Sequence, residues 1–232
     1  MYPYTTRHPG PHSAIVFDCD GLLLSTQGAW DRAYAELARR YGRRLTAHDR
    51  HSLVGLQLHA LGHALARHLE HPAPPAQLAR EVYDLVRGGA GIRPAPMPGA
   101  ISLVTALRGT RPLAVASNTP HQIVTAYLQE IGILETFDAV ICSDQVSEPK
   151  PAPDTYLTAC RALGRKPADC IAFEDSPTGA IAALTAGLYL IGIPSATDLT
   201  FPAHEHATTL EDHAIWHSLG LTPNDTITEP AA

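Results

Sequence analysis

From Gly99 onward the chain alternates short apolar runs with longer amphipathic stretches, and this alternation limits the fold more than any other feature. The runs 112–117 (PLAVAS), 138–142 (DAVIC), 169–174 (DCIAFE) and 188–193 (LYLIGI) are apolar on both faces and rich in Val and Ile. Strands buried in a parallel sheet have that composition. Between them, 99–108, 120–131, 152–163 and 177–186 read as helices, the connections that parallel strands require. With the earlier apolar run that begins at Ser13, the sheet has about five strands. A last helix is expected near 209–219, and 1–12 and 221–232 read as loose tails.

Between the first strand and the second lies a block of different character. Residues 28–41 place Trp30, Ala33, Tyr34, Leu37, Ala38 and Tyr41 at intervals of three and four, the mark of an amphipathic helix. A second helical stretch runs over 47–69 with an interruption near Val54 and Gly55, and Pro72, Pro74 and Pro75 precede a third over 76–87. Residues 88–98 (GGAGIRPAPMP) form a glycine and proline hinge. The expected organisation is an all-helical unit, 26–93, inserted into an α/β domain made of 1–25 and 94–232.

Charge divides along the same line. The insert holds ten arginines, six acids and no lysine, whereas the whole chain carries a net charge of −6, so a basic insert sits within an acidic body. Solvated helix faces explain those arginines, and an electropositive surface facing an anionic substrate is the functional alternative. No aromatic-interleaved basic cluster points to nucleic acid, and no run of eighteen apolar residues points to a membrane span. Cys19, Cys142, Cys160 and Cys170 lack C-x-x-C spacing, so neither a zinc knuckle nor a disulfide framework is expected, and a reducing cytoplasm is the simplest home.

In open parallel sheets ligands bind outside the carboxyl ends of the strands, so the residues at those ends carry the functional question. The first strand runs into Asp18 and Asp20, with Gly21 where the backbone turns. Two like charges so close are tolerated when a divalent cation sits between them or one keeps its proton. The second strand ends in Ser117 and Asn118 just before a helix, a natural phosphate cradle and equally an ordinary N-cap. The third is followed by SEPKPAPD, in which Lys150, one of two lysines in the chain, stands between prolines that fix its backbone. The fourth ends in Glu174 and Asp175. Four carboxylates gathered at one sheet edge would be costly alone, and oxygen-only ligands suit magnesium.

The ordered set DCDG, SN, KPAPDTY and FEDSPTGA resembles the four motifs of the haloacid dehalogenase superfamily, and the helical insert is similar to the cap of its β-phosphoglucomutase-like, sugar-phosphatase branch. The likeness spans nearly all of 13–195. It implies an α/β fold with a Rossmann-like core and an inserted all-helical cap. It further implies that Asp18 is a nucleophile forming an aspartyl phosphate and that Asp20 is the general acid and base. Magnesium would be held by Asp18, the backbone carbonyl of Asp20, Asp175 and a nearby Glu174, while Lys150, Ser117 and Asn118 would neutralise the phosphoryl oxygens.

The implied reaction is hydrolysis of a small phosphorylated metabolite by a monomer. Dehalogenases of the superfamily lack the acid found here at Asp20, and the Schiff-base chemistry of its phosphonate hydrolases needs a cap lysine that 26–93 does not contain. The phosphosugar mutases share every core motif, but Trp30 stands where they carry a histidine after Thr26, and the cap loop Gly55-Leu56-Gln57 lacks their arginine. Thr26, Trp30, Gly55 and Gln57 are therefore the candidate specificity residues. A non-catalytic phosphometabolite-binding protein is the alternative from another class, and the intact acidic and lysine positions count against it. The pairs His59/His63 and His204/His206 lack the metalloprotease pattern, and no second metal is expected there.

Overall fold

The computed structural model describes residues 10, 13–53, 56, 58–71, 73–88, 94–195 and 199–222, with the backbone alone at 51 and 58. In chain order the elements are β1 (Ala14–Phe17), β2 (Leu24–Ser25), α1 (Gln27–Arg40), α2 (Ala47–His51), α3 (Leu58–Leu69), α4 (Pro75–Arg87), β3 (Ala95–Pro96), α5 (Ala100–Leu107), β4 (Leu113–Ser117), α6 (His121–Glu130), β5 (Ala139–Cys142), α7 (Asp154–Ala162), β6 (Cys170–Glu174), α8 (Pro177–Ala186), β7 (Tyr189–Gly192), β8 (Glu205–His206) and α9 (His213–Ser218). They divide into two compact units, one of residues 1–25 with 95–232 and the other of 26–94.

The first unit holds a parallel sheet in the order β5-β4-β1-β6-β7-β8. Its sixth strand, β8, was not visible in the sequence, because Glu205 and His206 are exposed and carry no apolar pattern. All four residues of β1 are buried, and Ile15 pairs with both Leu113 and Ile171. After β1 the strands proceed outward on one side as β4 and β5, then resume on the other as β6 and β7. The β1–β6 seam is thus the topological switch point, where a crevice opens at the carboxyl ends. Phe17 and Phe173, partners in that seam, stack at 5.1 Å, and Phe137 meets Phe17 edge-on at 6.2 Å. Alternation along the strands sends Val16, Ala114, Ala116 and Ala172 to the opposite face, against Tyr156 and Cys160 of α7. A small antiparallel ribbon pairs β2 with β3.

In the second unit α4 packs against α1 and α3. Ala33 and Leu37 of α1, Leu61, Leu65 and Leu69 of α3, and Leu78, Val82 and Val86 of α4 are buried, each set at helical spacing. The stretch expected as one interrupted helix over 47–69 forms two, α2 and α3. A capping box between Thr46 and Asp49 starts α2, and Pro75 occupies the first turn of α4. Val54, Gly55 and Gln57 lie outside the described residues, as do most of the expected tails. Leu221, expected to open the C-terminal tail, is buried, and its N–H donates to Trp216 O at 2.8 Å. No helix among the described residues is long and apolar enough to cross a membrane.

Candidate active site

Chain pairing continues one residue past the strand at the switch point: the Asp18 N–H donates to Phe173 O at 3.0 Å. The chain then turns tightly, with the Leu23 and Leu24 N–H groups both donating to Cys19 O at 3.0 Å. Gly21, at φ 89°, sits inside this turn, and a Cβ there would collide with the Asp175 carboxylate. The turn therefore brings the loop after β1 directly against the loop after β6, and only glycine permits the approach.

Lys150 ties these loops together. It is 3 % exposed, and its Nζ donates to Asp18 Oδ1 and to Glu174 Oε1, both at 2.6 Å. The ammonium also lies 4.8 Å from the centre of the Tyr156 ring. Its backbone is held from the neighbouring strand end, where Asn118 Nδ2 donates to Lys150 O at 2.9 Å. Glu174 is fully buried and fully engaged: Tyr156 donates its hydroxyl to Oε1 at 2.7 Å, and Ser176 Oγ donates to Oε2 at 3.2 Å. Gly179, in the first turn of α8, makes room for that carboxylate, which a Cβ would strike.

Asp20 stands slightly apart. Ser117 Oγ donates to Asp20 Oδ2 at 3.1 Å and accepts the Thr119 N–H at 2.9 Å. The hydroxyl expected to face phosphate thus gives its proton to a carboxylate. Cys19, between the two aspartates, is fully buried, and burial first, then Asp20 and Asp18, push its thiol well above its ordinary value. Both burial and the raised thiol disfavour the thiolate that a cysteine nucleophile needs.

The electrostatics of the cluster are unbalanced. Burial raises the Asp18 carboxyl well above the usual carboxylate range; Lys150 opposes this, while Glu174, Asp175 and Asp20 add to it. Asp175 is pushed up to about 7 by burial and then by Glu174, against a hydrogen bond with Ser195 and the charge of Lys150. Burial pulls Lys150 down, yet Asp18 and Glu174 together outweigh it and hold the ammonium above its ordinary value. One cation thus faces four carboxylates, and a divalent ion would offset the excess.

The residues fit such an ion. Asp18, Glu174 and Asp175 offer carboxylate oxygens within 4.8 Å of one another, all buried, and the donor set is purely oxygen. Glu174 is already committed to Lys150, Tyr156 and Ser176, whereas Asp18 Oδ2 accepts no hydrogen bond among the described residues. Asp18 and Asp175 carry fewer bonds than Glu174 and are consequently the residues left to ligate. The Asp20 side chain does not belong to this group.

Asp18, Asp20, Ser117, Asn118, Lys150, Glu174 and Asp175 all meet in the first unit. Thr26 and Trp30 belong to the second, where Trp30 packs on Tyr34 and Tyr83 at 5.9 and 5.5 Å between ring centroids. Gly55 and Gln57 lie outside the described residues. Neither histidine pair joins a group with ligand spacing among the described residues; the His59 and His63 rings on α3 lie 4.5 Å apart, tilted at 56°, and His204 accepts the Leu190 N–H. Sequence reasoning passed over Tyr156 and Gly179. Tyr156 had a signal in its place six residues after Lys150, and Gly179 in being a poor helix former in a helix's first turn.

Comparison with known proteins places this geometry. The family model for haloacid dehalogenase-like hydrolases matches residues 12–187. The chain is 31% identical over 182 residues to fructose-1-phosphate phosphatase YqaB of Escherichia coli, covering 78% of this chain and 96% of that protein. It is also 31% identical over 192 residues to the validoxylamine A 7'-phosphate phosphatase of Streptomyces hygroscopicus, covering 81% of this chain and 88% of that one. Among solved structures, CbbY from Rhodobacter sphaeroides in complex with phosphate superposes with a TM-score of 0.75 at 30% identity, over 85% of this chain and 94% of that chain.

Proposed function

The chain belongs to the haloacid dehalogenase-like hydrolases and is a phosphoric monoester hydrolase of small phosphorylated metabolites, and from that premise we propose that it works through an aspartyl phosphate on Asp18 with magnesium bound beside it. The observation that carries this is the divided state of Asp18. Lys150 holds Oδ1 at 2.6 Å, which leaves Oδ2 free as the attacking oxygen. The helical unit is read as the family's cap.

In this reading Asp18 Oδ2 attacks phosphorus, and the bond from phosphorus to the leaving oxygen breaks as Asp20 supplies a proton to the departing alkoxide. Water then attacks the phosphoryl group of the aspartyl phosphate, Asp20 takes up its proton, and inorganic phosphate leaves. Ser117 keeps the Asp20 carboxyl turned toward the reacting groups. Lys150, anchored by Glu174 and Asn118, contributes a fixed positive charge next to the phosphoryl oxygens. Hydrolases of this family generally use Mg2+; bound at Asp18 and Asp175, it would neutralise phosphoryl charge and screen the two carboxylates from each other.

The E. coli relative is named for fructose 1-phosphate and the Streptomyces relative for validoxylamine A 7'-phosphate, which supports a phosphorylated metabolite of modest size. Hydrolysis of p-nitrophenyl phosphate with Mg2+, followed by a panel of sugar phosphates, phosphoglycolate and nucleotides, tests the reading. Wild-type turnover and borohydride trapping of residue 18 as homoserine are expected. Turnover no greater than that of Asp18→Asn would sink the proposal, and conversion of glucose 1-phosphate to glucose 6-phosphate outpacing phosphate release would replace hydrolase with mutase.

A further inference from the structure

Within the helical unit, one cluster brings a hydroxyl, an imidazole and a carboxylate together, and the mechanism above uses none of them. Ser52 closes α2, and its Oγ lies 3.1 Å from Nε2 of His68 on α3. The other ring nitrogen, Nδ1, lies 3.3 Å from Asp49 Oδ1. Asp49 is itself held, because its Oδ2 accepts the Thr46 hydroxyl and the Thr46 N–H, both at 2.7 Å. Those bonds, the hydroxyl first, keep its carboxyl below the ordinary value, so it is ionised at neutral pH. An ionised carboxylate beside Nδ1 favours the ring proton on that nitrogen and leaves the Nε2 lone pair toward Ser52. The Ser52 hydroxyl donates to Asp49 O at 2.6 Å, and rotation about its Cβ–Oγ bond alone turns the proton from that carbonyl to Nε2. Ser52 is exposed while His68 and Asp49 are partly buried, so the oxygen is open to a reagent and the base behind it is shielded.

We propose that Ser52 is an activated nucleophile, with His68 as its base, and a site of acylation by small activated acyl donors such as acyl phosphates, thioesters and aryl esters. In that step a bond forms between Ser52 Oγ and the acyl carbon, and the bond from that carbon to the leaving phosphate, thiolate or phenolate breaks. The serine proton passes to His68 Nε2 and from there to the leaving group or to water. Among the described residues no backbone N–H beside Ser52 is open to a tetrahedral oxyanion: the Ser52 N–H donates to His48 O at 3.1 Å and the Leu53 N–H to Arg50 O at 3.0 Å. A positioned base supplies about 10²- to 10⁴-fold by itself, while the about 10²- to 10³-fold of an oxyanion donor is missing. The acyl group therefore stays on the serine instead of turning over.

The test incubates the full chain with p-nitrophenyl acetate at neutral pH and locates acetylated residues by peptide mass spectrometry. Ser52 should be acetylated about 100-fold faster than any other serine of the chain. Asp49 also caps α2, so the diagnostic variant is His68→Ala, in which Ser52 should be acetylated about 100-fold more slowly. Imidazole added to the solution should restore part of that rate at Ser52 and leave the other serines behind, an effect that a purely structural role for His68 would not produce. Acetylation of Ser52 in the wild type no faster than that of the other serines, or undiminished in His68→Ala, would overturn the assignment. So would a loss in His68→Ala that imidazole does not restore.

Discussion

Raising the pH of the metal-free protein should weaken its fold, contrary to the usual behaviour of proteins stabilised by paired carboxylates. Asp175 drives this. Its carboxyl is raised from an ordinary 3.8 to about 7 in the folded chain, which corresponds to about 4 kcal/mol of preference for the protonated form. The folded state therefore binds a proton more tightly than the unfolded one. The penalty is absent below about pH 4, grows as pH rises toward about 7, and is full above that. Between about pH 5 and about pH 8 the penalty grows by about 2.6 kcal/mol, which for a chain of this size shifts the melting midpoint by about 5 to 10 °C. The assay is thermal or urea unfolding in EDTA at about pH 5 and about pH 8, with Asp175→Asn as the reference that removes this carboxyl together with its share of the Asp18 shift. The wild type should lose stability relative to the variant as pH rises. Mg2+ should then restore more at the higher pH, because it binds the ionised carboxylates, with about 2.7 kcal/mol expected at 100 times its Kd. A wild type and an Asp175→Asn variant with parallel pH dependence, or equal stabilisation by Mg2+ at both pH values, would refute the reasoning.

Tyr156→Phe removes the hydroxyl that donates to Glu174 Oε1 at 2.7 Å and leaves the Lys150 and Ser176 bonds in place, so a loss of about 2 kcal/mol in urea unfolding is expected. Gly179→Ala would gain about 1 kcal/mol in an ordinary helix; here the added Cβ strikes Glu174, and a loss of about 3 kcal/mol or more should appear in the same assay, with reduced turnover. Chelation by EDTA should abolish p-nitrophenyl phosphate hydrolysis, and Mg2+ should restore it, with colour release as the readout.

Much of the site was legible in the chain because each motif stands at the end of its own strand. Asp18, Asp20, Lys150, Glu174 and Asp175 could be placed at one sheet edge before any contact was known. What each side chain does there was less legible. Ser117 looked like an open phosphate donor, yet its hydroxyl serves Asp20, 97 residues away in sequence. Asn118 looked like a partner of phosphate, yet its amide nitrogen holds the Lys150 carbonyl. Tyr156 was passed over in the sequence; it packs in the core, and its hydroxyl completes the shell of Glu174.

Local pattern settled the α/β class, the helical insert and the strand ends that carry charge, because strand and helix leave periods of two and about 3.6 in the sequence that need no partner to be read. Only the folded chain decided which strands adjoin, that β8 pairs with β7, and that Lys150 reaches Asp18 across 132 residues. Those contacts depend on how buried faces stack and on where a missing Cβ allows two loops to touch, as at Gly21 and Gly179. Such packing leaves no period in the sequence, so the motifs declare a phosphoryl-transfer site while the assignment of each hydrogen bond within it belongs to the tertiary structure.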